Sequence, residues 1–240
     1  MAPAAPLARH RHLAVPKGTH SASEDAAAVR EEEWPLRAAV ADGATESAFA
    51  AHWARVLVQG AIEQEATPSG VQRGLPDWQR RWQQEVRARA KEQPWYVQAK
   101  THEGAFAALL ALEMHPNGQW QAVSVGDCNL LQLRDGTLRT AWPTDDPASF
   151  THRPALVPSR ASSDSPSPLH TRGTWVPEDT FLLATDAVAA WLLRTAPARP
   201  PDESQAAFRD AVESARADGT LRSDDATLLV LDVESDDSDG

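Results

Sequence analysis

The chain has 240 residues, 42% of them hydrophobic, with 23 Lys and Arg against 34 Asp and Glu for a formal net charge of −11. That length fits one large domain or two small ones with a substantial core. A net acidic chain without a Lys/Arg run excludes a protein held to nucleic acid by counterion release, and no apolar run reaches the ~20 residues that cross a bilayer.

Residues 1–12 lack the apolar periodicity of a packed element and read as a disordered tail, which leaves His10 and His12 solvated. The domain is then expected over residues 13–233, followed by an acidic tail at 234–240. Residues 26–29 and 36–41 read as strands. A helix is expected over 46–64, where Phe49, Trp53, Val56, Leu57 and Gly60 fall on one stripe. A second is expected over 76–93, with Pro76 just inside its start and Trp78, Trp82 and Val86 on one face. Val- and Leu-rich runs at 105–114, 119–125 and 130–133 read as strands, and Asn117-Gly118 and Asp135-Gly136 are hairpin signals. Residues 158–168, dominated by Ser and Pro, read as a flexible surface loop within the domain. A strand at 180–185, helices at 187–194 and 203–217, and a strand at 226–233 complete an α+β fold, antiparallel sheet with helices grouped outside it. The nine tryptophans serve as core filling, and the single cysteine, Cys128, reads as an inert small hydrophobe in a reducing, cytoplasmic protein.

The informative pattern is where the aspartates fall. Asp42, Asp127 and Asp186 each end an apolar strand, Asp224-Asp225 immediately precede another, and Glu24-Asp25 sit similarly against residues 26–29. Singly, each is an ordinary turn or cap residue. Converging at one sheet edge they would repel one another and resist desolvation, an objection that a bound cation removes. Oxygen ligands without thiolates or paired histidines suit Mg²⁺ or Mn²⁺, and a shared carboxylate suits a two-metal hydrolytic site.

In order and spacing, Ser23-Glu24-Asp25, Val40-Ala41-Asp42-Gly43, Gly126-Asp127-Cys128, Ala184-Thr185-Asp186-Ala187 and Ser223-Asp224-Asp225-Ala226-Thr227 resemble the metal-dependent type 2C serine/threonine protein phosphatases, from about His20 to Val233. The resemblance implies a four-layer αββα sandwich of two antiparallel sheets and a centre of two Mn²⁺ or Mg²⁺ ions. In it Asp42 would bridge the ions as a carboxylate ligand and Gly43 would add its carbonyl. Asp186 and Asp224 would hold the second ion, and Glu24 and Asp25 would hold metal-bound waters. Asp127 with Asp186 would offer a place for an additional, weaker ion. It implies in-line attack of a metal-activated water on a phosphoserine or phosphothreonine, and as partner a phosphorylated protein, a Ser/Thr kinase or its substrate.

Four positions depart from that family. Its phosphate-binding Arg falls on His20, and the Asn of its Asn-Glu-Asp motif on Ser23. Ala187 stands for a glycine, the small-residue stretch before the central strand reads Gly104-Ala105-Phe106-Ala107, and Ala44-Thr45-Glu46 follow Asp42-Gly43, so no general-acid His stands there. An imidazole does not replace a bidentate guanidinium. Arg153, with Arg160 beside it, is therefore expected to supply the missing cation. Two classes follow: an active phosphatase, or a phosphatase-fold module that binds a phosphoprotein or regulates a kinase system without turnover.

Overall fold

The computed structural model describes residues 8–18, 22–45, 47, 49–90, 103–150, 154–162, 166–195 and 204–234. Among these, one antiparallel sheet has the order β2-β3-β4-β5-β9, built from Ala26–Arg30 (β2), Leu36–Gly43 (β3), Phe106–Met114 (β4), Gln119–Val125 (β5) and Leu169–Thr174 (β9). The two-residue β8, Val157–Pro158, pairs with the start of β4. The other antiparallel sheet has the order β1-β11-β10-β6-β7, from Ala8–Val15 (β1), Ala226–Val233 (β11), Thr180–Ala184 (β10), Asn129–Arg134 (β6) and Thr137–Trp142 (β7). Helices α1 (Ala50–Ala61) and α2 (Pro68–Ala90) contribute to the core on one outer face, and α3 (Asp186–Thr195) and α4 (Gln205–Ala217) to that on the other.

Strand periodicity explains why four layers form. Along β11, Leu228 and Val230 join Val188, Leu192, Phe208 and Val212 of α3 and α4, while Leu229 and Leu231 turn inward to meet Val40, Leu110 and Leu112 of the facing sheet. Successive side chains point to opposite faces, so a run apolar at every position must be covered on both sides. The third core joins Ala39, Ala41, Leu109 and Val123 to Trp53, Leu57 and Trp82 of the first helix pair. Gly60 and Gly74 open a notch there, since a Cβ at either would lie 2.1 or 2.4 Å from the Trp78 ring.

Two expectations are corrected, and a third is corrected only at the first residues of its segment. Residues 8–12 belong to β1, not to a tail: the strand pairs with β11 along its whole length, and Arg11 donates to Asp232 at 2.7 Å. His10 accordingly lies 2.6 Å from Glu31, and burial lowers the pKa of His12, helped by His10. The second helix begins at Pro68 rather than at Pro76. Thr67 accepts the Gly70 N–H at 3.0 Å, Pro68 occupies the first turn, and Pro76 removes one rung without ending a helix anchored by Val71, Trp78, Trp82 and Val86. Within the Ser/Pro segment, Ser159 is fully buried, its hydroxyl accepting the Ala105 N–H at 2.7 Å; residues 163–165 lie outside the described residues. Cys128 is buried, and desolvation pushes its thiol well up, as expected of an inert side chain. Among the described residues, no helix is long and apolar enough to cross a membrane.

Candidate active site

The sheet ends bring the aspartates to one place. Asp42 and Gly43 close β3, Asp127 follows β5 across Gly126, Asp186 opens α3 after β10 across Thr185, and Asp224 stands two residues before β11. Asp42, Gly43, Asp127, Asp186 and Asp224 all line a single open cleft of about 550 Å³, with Phe106, Ala108, Pro154 and Leu156 forming an apolar wall and Thr45 and Ser47 adding hydroxyls. Gly43 admits no side chain, because a Cβ would lie 2.8 Å from the Glu24 carbonyl oxygen and 2.9 Å from the Ala50 carbonyl carbon.

The segments around the cleft are tied together by polar contacts. Asp225, next to Asp224, accepts the backbone N–H groups of Lys17 and Glu24, each at 2.7 Å, and so fixes the β1–β2 connection against the start of β11. Lys17 Nζ donates to Glu24 at 2.8 Å and to Thr45 at 2.9 Å. The Glu24 carboxylate is thereby engaged with Lys17 and is not among the cleft-lining groups. Asp25 accepts from the Thr185 hydroxyl at 3.0 Å, and that hydroxyl accepts the Thr227 N–H at 3.1 Å.

The acids pay electrostatically for this arrangement. Desolvation, with repulsion from Asp225 and Asp186, pushes Asp25 up to about 7 against the opposing hydrogen bonds of Thr227 and Thr185. Desolvation and Asp186 push Asp127 up to about 7. Asp42 is raised well above the usual carboxylate range by burial and by repulsion from Asp25, Asp186, Asp127 and Asp224. One oxygen each of Asp25, Asp127 and Asp186 is buried without a hydrogen-bond partner.

A measurable consequence follows for Asp127. Its folded pKa exceeds that of the unfolded chain, so between the two values the native state holds a proton that the unfolded state sheds, and stability falls progressively as pH rises from about 4 to about 7. In a chelator, Asp127→Asn should melt a few degrees above the parent at pH 8 and by a clearly smaller margin at pH 5. An equal offset at both pH values, read by differential scanning calorimetry, would contradict the raised pKa.

The donor set fits hard divalent cations: all ligating atoms are oxygens, and the orphaned carboxylate oxygens need positive charge. As placed here, however, no group of three His, Cys, Asp or Glu side chains among the described residues could hold an ion. Arg222, which sequence reasoning missed, lines the same cleft and pairs with Asp186 Oδ2. Its only sequence signal is its place two residues before Asp224. Of the expected substrate ligands, His20 and Arg153 lie outside the described residues. Arg160 packs its side chain near Gly104 and is not among the residues lining the cleft.

Two antiparallel sheets thus lie between two helix pairs, with acids from four strand ends lining one cleft. The sequence profile described as protein phosphatase 2C matches residues 18–228, and the chain belongs to that family. No curated protein sequence matches it significantly. Among solved structures, it is similar to PppA, a regulatory component of the type VI secretion system in Pseudomonas aeruginosa, with 19% identity, TM-score 0.60 and coverage of 95% of this chain and 98% of that one. It is similar to the serine/threonine phosphatase PstP/Ppp of Mycobacterium tuberculosis, with 17% identity, TM-score 0.60, and 95% and 100% coverage. The PstP catalytic domain in complex with two manganese ions gives 17% identity, TM-score 0.55, and 96% and 100% coverage. At these identities the likeness is one of fold.

Proposed function

We propose that this protein hydrolyses phosphoserine or phosphothreonine in a partner protein, a Ser/Thr kinase or its substrate, with the help of two Mn²⁺ or Mg²⁺ ions and an additional weaker one. The reading rests on one observation: four carboxylates from four strand ends line one cleft, and buried carboxylate oxygens there have no partner. Family membership supports it. Asp42, Gly43 through its carbonyl, Asp186 and Asp224 would hold the two ions, and Asp127 with Asp186 the additional one. Asp25 and Glu24 act from behind, Asp25 through Thr185 and Glu24 through Lys17. When bound, the ions supply Lewis acidity, which lowers the pKa of water and offsets phosphoryl charge.

The chain's own residues decide what enters. A phosphate dianion is repelled by these acids, so the cleft accepts one only with cations in place. Phe106, 40% exposed, with Pro154 and Leu156 offers an apolar wall for the residues flanking a phosphorylated side chain. Thr45 and Ser47 offer hydroxyls at the rim. The single buried cysteine suits a cytoplasmic setting.

The second reading, a phosphoprotein-binding module without turnover, draws on the Asp186–Arg222 pair, which neutralises part of the cluster without metal. Titrating Mn²⁺ into an assay with an aryl phosphate and a phosphothreonine peptide separates the two. Hydrolysis that rises with Mn²⁺ and stops with chelator is the expected result; peptide binding without phosphate release would favour the module.

A further inference from the structure

Arg222 is the only cationic side chain among the described residues that line the cleft. Its backbone is held firmly on both sides. Leu221, buried to 2% exposure, donates its N–H to the Ala215 carbonyl at 2.9 Å. Arg216 binds the carbonyls of Val15 and Pro16 at 3.2 and 3.0 Å and also that of Asp224. The Arg222 guanidinium, by contrast, is partly exposed to the cleft, with its side chain 34% accessible, and spans it to Asp186 Oδ2. The other Asp186 oxygen is buried and has no partner.

Resting on the metal-dependent reading above, we propose that Arg222 is a built-in competitor of the divalent cation: it neutralises Asp186 in the metal-free protein, gives that carboxylate up when an ion binds, and then turns its guanidinium to the substrate phosphoryl group. A guanidinium and a divalent ion on one carboxylate repel each other, so the two occupancies exclude one another. The protein competent to take the ion is only the fraction in which Arg222 has released Asp186, and the apparent metal affinity is reduced by that fraction. The released side chain stays in the cleft because its backbone is anchored on both sides. A planar fork of donors there matches phosphoryl oxygens, at a site whose sequence places His20 where a guanidinium is otherwise expected.

Calorimetric Mn²⁺ titration of the substrate-free protein tests this directly. Arg222→Gln should bind Mn²⁺ about tenfold more tightly than the parent, and Arg222→Lys, which keeps the charge but loses the fork, should fall between them. In chelator, Arg222→Gln should melt several degrees lower, and with saturating Mn²⁺ that deficit should disappear. With a phosphothreonine peptide, Arg222→Gln should raise KM about tenfold with a smaller change in kcat. A folded Arg222→Gln, or the Lys variant should Gln not fold, binding Mn²⁺ no more tightly than the parent would overturn the competitor role while leaving the metal-dependent reading in place. A parent that binds no Mn²⁺ at all would remove both.

Discussion

Asp42→Asn should lower Mn²⁺-dependent hydrolysis by at least about a thousandfold, equivalent to ~4 kcal/mol of transition-state stabilisation. Asp42 is buried among the other acids, with Asp25, Asp186, Asp127 and Asp224 all repelling its charge, and this supports the proposal that it is the carboxylate the two ions would share. If Asp42 holds both ions as proposed, removing its charge would leave them less well neutralised. The same substitution relieves repulsion in the metal-free protein, so Asp42→Asn should fold and, in chelator, melt no lower than the parent. Asp127→Asn, expected to disturb a peripheral ion, should cost activity about tenfold. Equal losses for the two variants in a metal-saturated peptide assay would remove the distinction between them.

Gly126→Val should produce the largest loss of stability, at least about 3 kcal/mol, or a fall in Tm of roughly 10 °C. Gly126 links β5 to Asp127 with φ +102, a conformation that β-branched residues do not adopt. Space is lacking as well: a Cβ there would lie 2.5 Å from the Ala108 Cβ and 3.1 Å from the Ala155 carbonyl oxygen. Because Ala108 lines the cleft and Asp127 is the next residue, the strain falls on the site itself. A variant with parental Tm and parental Mn²⁺ affinity would show that this close approach does not constrain the cleft.

The strands that were legible are those buried on both faces. Residues 119–125 and 226–233 coincide with β5 and β11, because short Val- and Leu-bearing apolar segments admit few other readings once turn residues bound them. Three of the four edge strands, β1, β7 and β9, left little trace. β1 runs Arg-His-Arg-His over residues 9–12 and buries apolar side chains mainly at Leu13 and Val15. β7 and β9 are half-exposed throughout and bury none of their residues, so no apolar pattern marks them. Pro76 misled because a proline at a helix start and one tolerated inside a helix look alike without the Thr67 cap and the Trp78 notch in view.

For the site, the acids at strand ends were readable because the sheet carries every strand end to an edge, and the structure gathers Asp42, Asp127, Asp186 and Asp224 there. The contact between Glu24 and Lys17 was not legible, since only tertiary structure brings Lys17 to it. Arg222 had no periodic or motif signal, and its role depends wholly on the cleft that α3 and β11 create. The expectation that Arg160 would supply the cation is not supported by its place near Gly104.

Isothermal calorimetry of the metal-free parent with Mn²⁺, beside Asp42→Asn, tests most directly that these carboxylates are a metal centre. The parent should take up two ions with high affinity, and Asp42→Asn should lose that binding while remaining folded. A folded Asp42→Asn that binds two Mn²⁺ ions with parental affinity, or a parent that binds none, would contradict the assignment.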